Sequence, residues 1–109
     1  LLRNKFKLGN ENAPKSIKLT INTNKQKKIN EKNIQNVITK YEIIITAKVM
    51  FYILEDNLSE EFLTSKSGIY SVSDRHSETV NNEKKTIRNI VNDLSDQIQK
   101  DLVSRLNDL

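Results

Sequence analysis

Cysteine is absent from this 109-residue chain. That removes disulfides, thiolate metal sites and cysteine nucleophiles together. The only glycines are Gly9 and Gly68, so no glycine-rich phosphate loop exists. His76 is the single histidine, in the run Asp74-Arg75-His76-Ser77. Neighbours in one loop do not make a nucleophile–base–orienter geometry. A lone histidine without cysteines or paired carboxylates is also a poor metal site. Glu60-Glu61 reads as an exposed acidic pair at a turn, not a dyad with a raised pKa. No run approaches the roughly 20 apolar residues that span a bilayer. These absences lead to an expectation of no catalytic residue, no metal and no cofactor.

What is present is charge. Eighteen Lys and Arg against fourteen Asp and Glu give a formal net charge of +4. Such a balance favours anionic partners: nucleic acid, phosphates or an acidic glycolipid head group. Lysines outnumber arginines, and a lysine acts as a mobile point charge where arginine supplies a bidentate fork. The length fits a single domain covering residues 1–109. The chain opens on Leu1 and turns polar at once, with no signal-peptide core. It reads as a piece of a longer precursor.

Leu2 and Phe6, with Leu1 and Leu8 beside them, have the spacing of the last turns of a helix over residues 1–8. Gly9-Asn10 would stop that helix, with Pro14 just beyond. Ile17, Leu19 and Ile21 alternate with polar residues and predict a half-buried strand over 16–23. Residues 24–33 (NKQKKINEKN) read as a lysine-rich hairpin loop. The run 38–54 is the longest strand signal. Tyr41, Ile43, Ile45, Ala47, Val49, Phe51 and Ile53 share one face, and β-branched residues suit a pleated surface. Ile44, Met50 and Tyr52 interrupt the other face and suggest that it, too, is partly covered. Asp56-Asn57 marks a turn. A strand over 61–73 follows, in which Gly68 signals a bulge or a close approach.

From Thr79 the period becomes helical. Ile87, Val91, Leu94, Ile98, Leu102 and Leu106 form a stripe at spacings of three and four. A helix over 79–107 is predicted, with Thr79 as N-cap and Glu83 near its positive end. The expected class is α+β: an antiparallel or mixed sheet covered on one face by helices, a two-layer sandwich ending in a long amphipathic helix. The aromatics Tyr41, Phe51, Tyr52, Phe62 and Tyr70 fall on strands without the Lys/Arg-Gly-Phe context of an RNA-binding sheet.

The order of segments resembles the LptE family of lipopolysaccharide-assembly lipoproteins. Two stretches carry the resemblance. One is Lys40-Tyr41-Glu42-Ile43-Ile44-Ile45-Thr46-Ala47-Lys48-Val49, which looks like that family's central strand. The other runs from Gly68-Ile69-Tyr70-Ser71-Val72 through Asn81-Asn82-Glu83 into the terminal helix. The likeness implies two helices on a four-stranded sheet, with the first strand, most of the first helix and a lipidated cysteine lying ahead of Leu1. It implies a non-enzymatic protein on the periplasmic side of the outer membrane. Its partner there would be the β-barrel LptD, which it plugs and helps assemble, and it would contact lipopolysaccharide. Family members carry basic residues where this chain has Val80 and Ile34. Charge and location make Lys25, Lys27, Lys28 and Lys32 the candidates for lipopolysaccharide contact. Two other readings stand beside this one: an auxiliary periplasmic lipoprotein of an ABC-type lipid transport system, and a small basic nucleic-acid-binding module.

Overall fold

The computed structural model describes residues 2–6 and 15–108, with only the backbone of residues 2–6 and Lys15. Four strands precede one helix: β1 (Leu2–Phe6), β2 (Lys15–Lys32), β3 (Ile38–Ile53), β4 (Leu58–Ser71) and α1 (His76–Asn107). The strands form one sheet in the order β1-β2-β3-β4. The class is α+β, an antiparallel sheet with one long C-terminal helix.

Within the expected helix end over residues 1–8, the described residues 2–6 are not helical. Leu2–Phe6 is a strand, paired antiparallel with β2 from Leu2 opposite Leu19 to Phe6 opposite Lys15. The even spacing of Leu2 and Phe6 fits a period of two as well as it fits a helical turn, and pairing with β2 decides between them. The Gly9-Asn10 stop and Pro14 lie outside the described residues.

The lysine-rich run is not a loop either. Residues 24–32 continue β2. β3 has 16 residues, and the tight hairpin that joins the two strands extends β2 to match. The hairpin closes at Asn33, whose side-chain Oδ1 accepts the amides of Gln35 (2.9 Å) and Val37 (3.0 Å). Asn36 takes a left-handed conformation at φ 65°. This is the three-residue hairpin loop that ends on a left-handed residue. The expected Asp56-Asn57 turn is present, with Asn57 left-handed at φ 50°. Tyr52 donates its hydroxyl to Asn57 Oδ1 at 2.6 Å.

Two compact units can be described within the chain. One comprises Leu1–Thr23, Ala47–Thr64 and Ser95–Leu109, the other Asn24–Thr46 and Ser65–Leu94. In the first unit Ile17, Leu19, Ala47, Val49, Phe51, Ile53, Phe62, Leu102 and Leu106 are buried together. Arg105 lies 4.7 Å over the Phe62 ring and 3.6 Å from Glu60. The Glu55 carboxylate accepts the Ser16 amide at 3.0 and 3.1 Å, and this bond holds its pKa below the ordinary value.

In the second unit Ile43, Ile45, Tyr70, Ile90 and Leu94 form the buried set. Gly68 is a close approach. A Cβ there would lie 2.8 Å from Thr86 Cγ2 and 3.2 Å from Ile90 Cδ1. That approach seats Ile90 and corrects the predicted stripe: Ile90 is buried, while Val91 is 45% exposed. The helix also starts earlier than predicted. The Arg75 carbonyl accepts the amides of Glu78 and Thr79, both at 3.1 Å, so Arg75 is the residue at the N-cap. Thr79 sits one turn in. Its Oγ1 accepts the Ser73 amide at 2.8 Å and donates to the Ser73 carbonyl at 3.3 Å, anchoring the chain that enters the helix.

Ile44, Met50 and Tyr52 are half-buried on the face of β3 opposite the buried row. Among the described residues no helix covers that face. No helix among them is long and apolar enough to cross a membrane.

Candidate functional site

The four candidate lysines all lie in the second unit, on the part of β2 past its pairing with β1. Successive side chains of a strand point to opposite faces, so four lysines in one strand need not form one cluster. They divide two and two. Lys27 reaches the helix side: its Nζ is 3.0 Å from Glu83 Oε2 on α1 and 4.5 Å from the Tyr41 ring centroid. Lys25, two residues away, shares that face, and its charge helps depress the Glu83 pKa. Lys28 is on the opposite face, 3.3 Å from Glu42. Lys32 shares the parity of Lys28.

Lys27 is the centre of a polar cluster that sequence reasoning did not assemble. Tyr41 and Tyr70 stack with centroids 5.7 Å apart. The ammonium lies over both rings, at 4.5 and 5.6 Å, within cation–π range. Tyr70 donates its hydroxyl to Glu83 Oε2 at 2.9 Å, the same oxygen that Lys27 meets. The Tyr70 hydroxyl, and after it the Glu83 carboxylate, push the Lys27 pKa well above the ordinary lysine range. Lys27, and then Tyr70, hold Glu83 below its ordinary value. Burial pushes Tyr70 up. Glu83, read from sequence as a helix-start charge, lies in the second turn of α1. It serves as the acceptor for a lysine and a tyrosine from the sheet.

Two of the four candidates are therefore engaged. Lys27 is held by Glu83 and the tyrosines, and Lys28 by Glu42. Lys25 and Lys32 have no ion pair among the described residues. Nearby, Lys40 lies 3.8 Å from Glu31, and Thr39 donates to the Glu31 carboxylate at 2.8 Å. The signal that could have revealed this arrangement is parity. Lys25, Lys27 and Ile29 continue the odd-numbered row of Ile17, Leu19 and Ile21, so a strand continued past Thr23 points Lys27 toward the helix.

Among the described residues no group of three or more His, Cys, Asp or Glu is placed to hold a metal ion. His76 is the first residue of α1 and is exposed. No protein-family model, curated protein or solved structure matches the chain.

Proposed function

We propose that this protein is a non-enzymatic, LptE-like assembly partner. In this reading it is anchored at the periplasmic side of the outer membrane, binds and plugs the LptD β-barrel, and contacts lipopolysaccharide on its way to the surface. The observation that carries the reading is the architecture. Three antiparallel strands, β2 to β4, lead through a short Ser-Asp-Arg connection into one long terminal helix, and this part of the order agrees with the resemblance, whereas residues 2–6 do not. The exterior suits a plug, because the wall of a barrel lumen is polar. The exposed residues of β2 are mostly Asn, Lys, Thr, Gln and Glu, interrupted by Ile21 and Ile29, and the outer face of α1 is charged. The second helix of the family pattern has no counterpart in residues 2–6, which are a strand.

For the glycolipid, the ammonium groups without an ion pair among the described residues are the relevant ones. A lysine already holding a carboxylate must give that partner up before it meets a phosphate. Lys25 and Lys32 are therefore the first candidates, and Lys27 and Lys28 the second. The split of lysines over two faces weighs against the nucleic-acid reading, which needs a single basic stripe.

The test is co-expression of the protein with the LptD barrel of the same organism, followed by purification through a tag on the barrel. The expected result is co-purification in a defined ratio that survives washing at high salt. Recovery of the barrel alone, folded and complete, contradicts the proposal. For glycolipid contact, Lys25→Ser with Lys32→Ser is expected to weaken lipopolysaccharide binding more than Lys27→Ser with Lys28→Ser.

A further inference from the structure

We infer that Asn57 is an acceptor for an asparagine-linked oligosaccharide, delivered from a lipid-pyrophosphate donor by a transferase of the bacterial type. The inference needs the chain to be exported, as the proposed function does, but it needs no contact with the barrel.

The first observation is a motif in the turn between β3 and β4. Residues 55–59 read Glu-Asp-Asn-Leu-Ser. Asn-x-Ser/Thr, with x other than proline, is the acceptor pattern for asparagine-linked glycosylation. Bacterial single-subunit transferases ask for one residue more, an Asp or Glu two places ahead of the asparagine. A basic acceptor groove grips such a carboxylate through charge-assisted hydrogen bonds. Glu55 is that residue. The chain has fourteen asparagines, and Asn57 alone begins the tripeptide. The tripeptide by itself is common in sequences, so its position decides.

The second observation is placement. Inside a strand or within α1 the backbone of the motif would be committed to hydrogen bonds. Here β3 ends at Ile53 and β4 starts at Leu58, so Glu55, Asp56 and Asn57 fall in the turn. These three residues and Ser59 are exposed. The Asn57 amide donates to the Leu54 carbonyl at 3.4 Å, long for a backbone bond. The Glu55 carboxylate meets the Ser16 amide at the protein surface. Exposed bonds of this kind open at low cost. A transferase can therefore draw out residues 55–59 while the rest of β3 and β4 stays paired.

The third observation is which atom of Asn57 the turn uses. Tyr52 donates its hydroxyl to Asn57 Oδ1. The atom that reacts is the other one, Nδ2. It forms a bond to the anomeric carbon of the first sugar as the bond from that carbon to the pyrophosphate oxygen breaks. The lipid pyrophosphate leaves with the electron pair, and Nδ2 gives up one proton to a basic group of the transferase. The product is still an amide with its carbonyl oxygen intact. Oδ1 can go on accepting from Tyr52, so the turn closes again beneath the sugar.

The experiment is mass spectrometry of the whole protein purified from its own cells. The expected result is a tryptic peptide of residues 49–66 that carries one oligosaccharide on Asn57. Asn57→Gln should remove the added mass. Glu55→Gln and Ser59→Ala should each lower occupancy at least tenfold, because each removes a group that the transferase reads. Asp56→Ala alters the same turn at a variable position of the motif and should leave occupancy within twofold. If a variant does not fold, the peptide from the unaltered chain carries the decision alone. Bare Asn57 throughout the protein overturns the proposal. So does an equal loss of occupancy in Asp56→Ala and Glu55→Gln, which means that the shape of the turn matters and the motif does not. Bare Asn57 in a protein that still co-purifies with the barrel overturns this inference and leaves the proposed function standing. Glycosylated Asn57 in a protein that does not co-purify does the reverse.

Discussion

Lys27 on β2 and Glu83 on α1 meet at 3.0 Å, and the Tyr70 hydroxyl donates to the same carboxylate oxygen. One carboxylate thus ties the helix to two strands of its unit. The lysine is still 44% exposed, so water screens the pair. A double-mutant cycle with Lys27→Met and Glu83→Gln is expected to give a coupling of about 0.5–1 kcal/mol, in the upper range for exposed pairs. It should shrink as salt is raised, because exposed charges are screened. A coupling near zero at low salt contradicts the arrangement.

The same pair sets a pH dependence. Glu83 is held below its ordinary value of 4.5, so the unfolded chain binds this proton more readily than the folded one. Its contribution is present above 4.5 and is lost as pH falls through the lower, folded value. Lys27 is raised above 10.5, so its contribution is present below that value and is lost at still higher pH. Thermal unfolding followed from about pH 7 down to about pH 3 should show an acid-side decline that is shallower in Glu83→Gln than in the unaltered chain. Parallel curves would remove Glu83 from the account.

Gly68 is required because the helix approaches its Cα too closely for a side chain. The nearest atom to an added Cβ belongs to Thr86, a β-branched residue with little rotamer freedom in a helix. Gly68→Ala is expected to cost about 1–3 kcal/mol, as overpacking does. Gly68→Val should cost more. Thr86→Ser removes the nearest methyl group and should restore part of the loss in the Gly68→Ala background. Denaturant unfolding of the four proteins checks this.

Asn36 turns the β2–β3 hairpin from a left-handed conformation. Asn36→Gly should leave stability unchanged or raise it slightly, whereas Asn36→Ala should cost on the order of 1 kcal/mol, the penalty for a side chain in that region. Equal midpoints for the Ala and Gly variants would contradict the observed backbone.

Much of the fold was legible because period decides it. The alternation from Tyr41 to Ile53 fixed β3 and its buried face, and the stripe ending at Leu102 and Leu106 fixed the C-terminal half of α1. Three things were not legible. The strand at residues 2–6 was hidden because a spacing of four satisfies two periods. The second half of β2 was hidden by its composition: Asn, Gln and Lys have low strand propensity, and only the demand of a 16-residue β3 for a partner extends them. The place of Ile90 in the core was hidden because Val91 continues the spacing equally well, and the choice rests on Gly68, more than twenty residues away. For the candidate site, charge located the lysines. It could not reveal that two of them are bound to Glu83 and Glu42, because those partners lie on other elements.

The proposed function is tested most directly in the cell. The protein is depleted and the amount of folded, full-length LptD barrel in the outer membrane is measured. The account predicts that the folded barrel falls in step with the protein and recovers when the unaltered chain is resupplied. A barrel that stays folded and abundant after the protein has gone contradicts it.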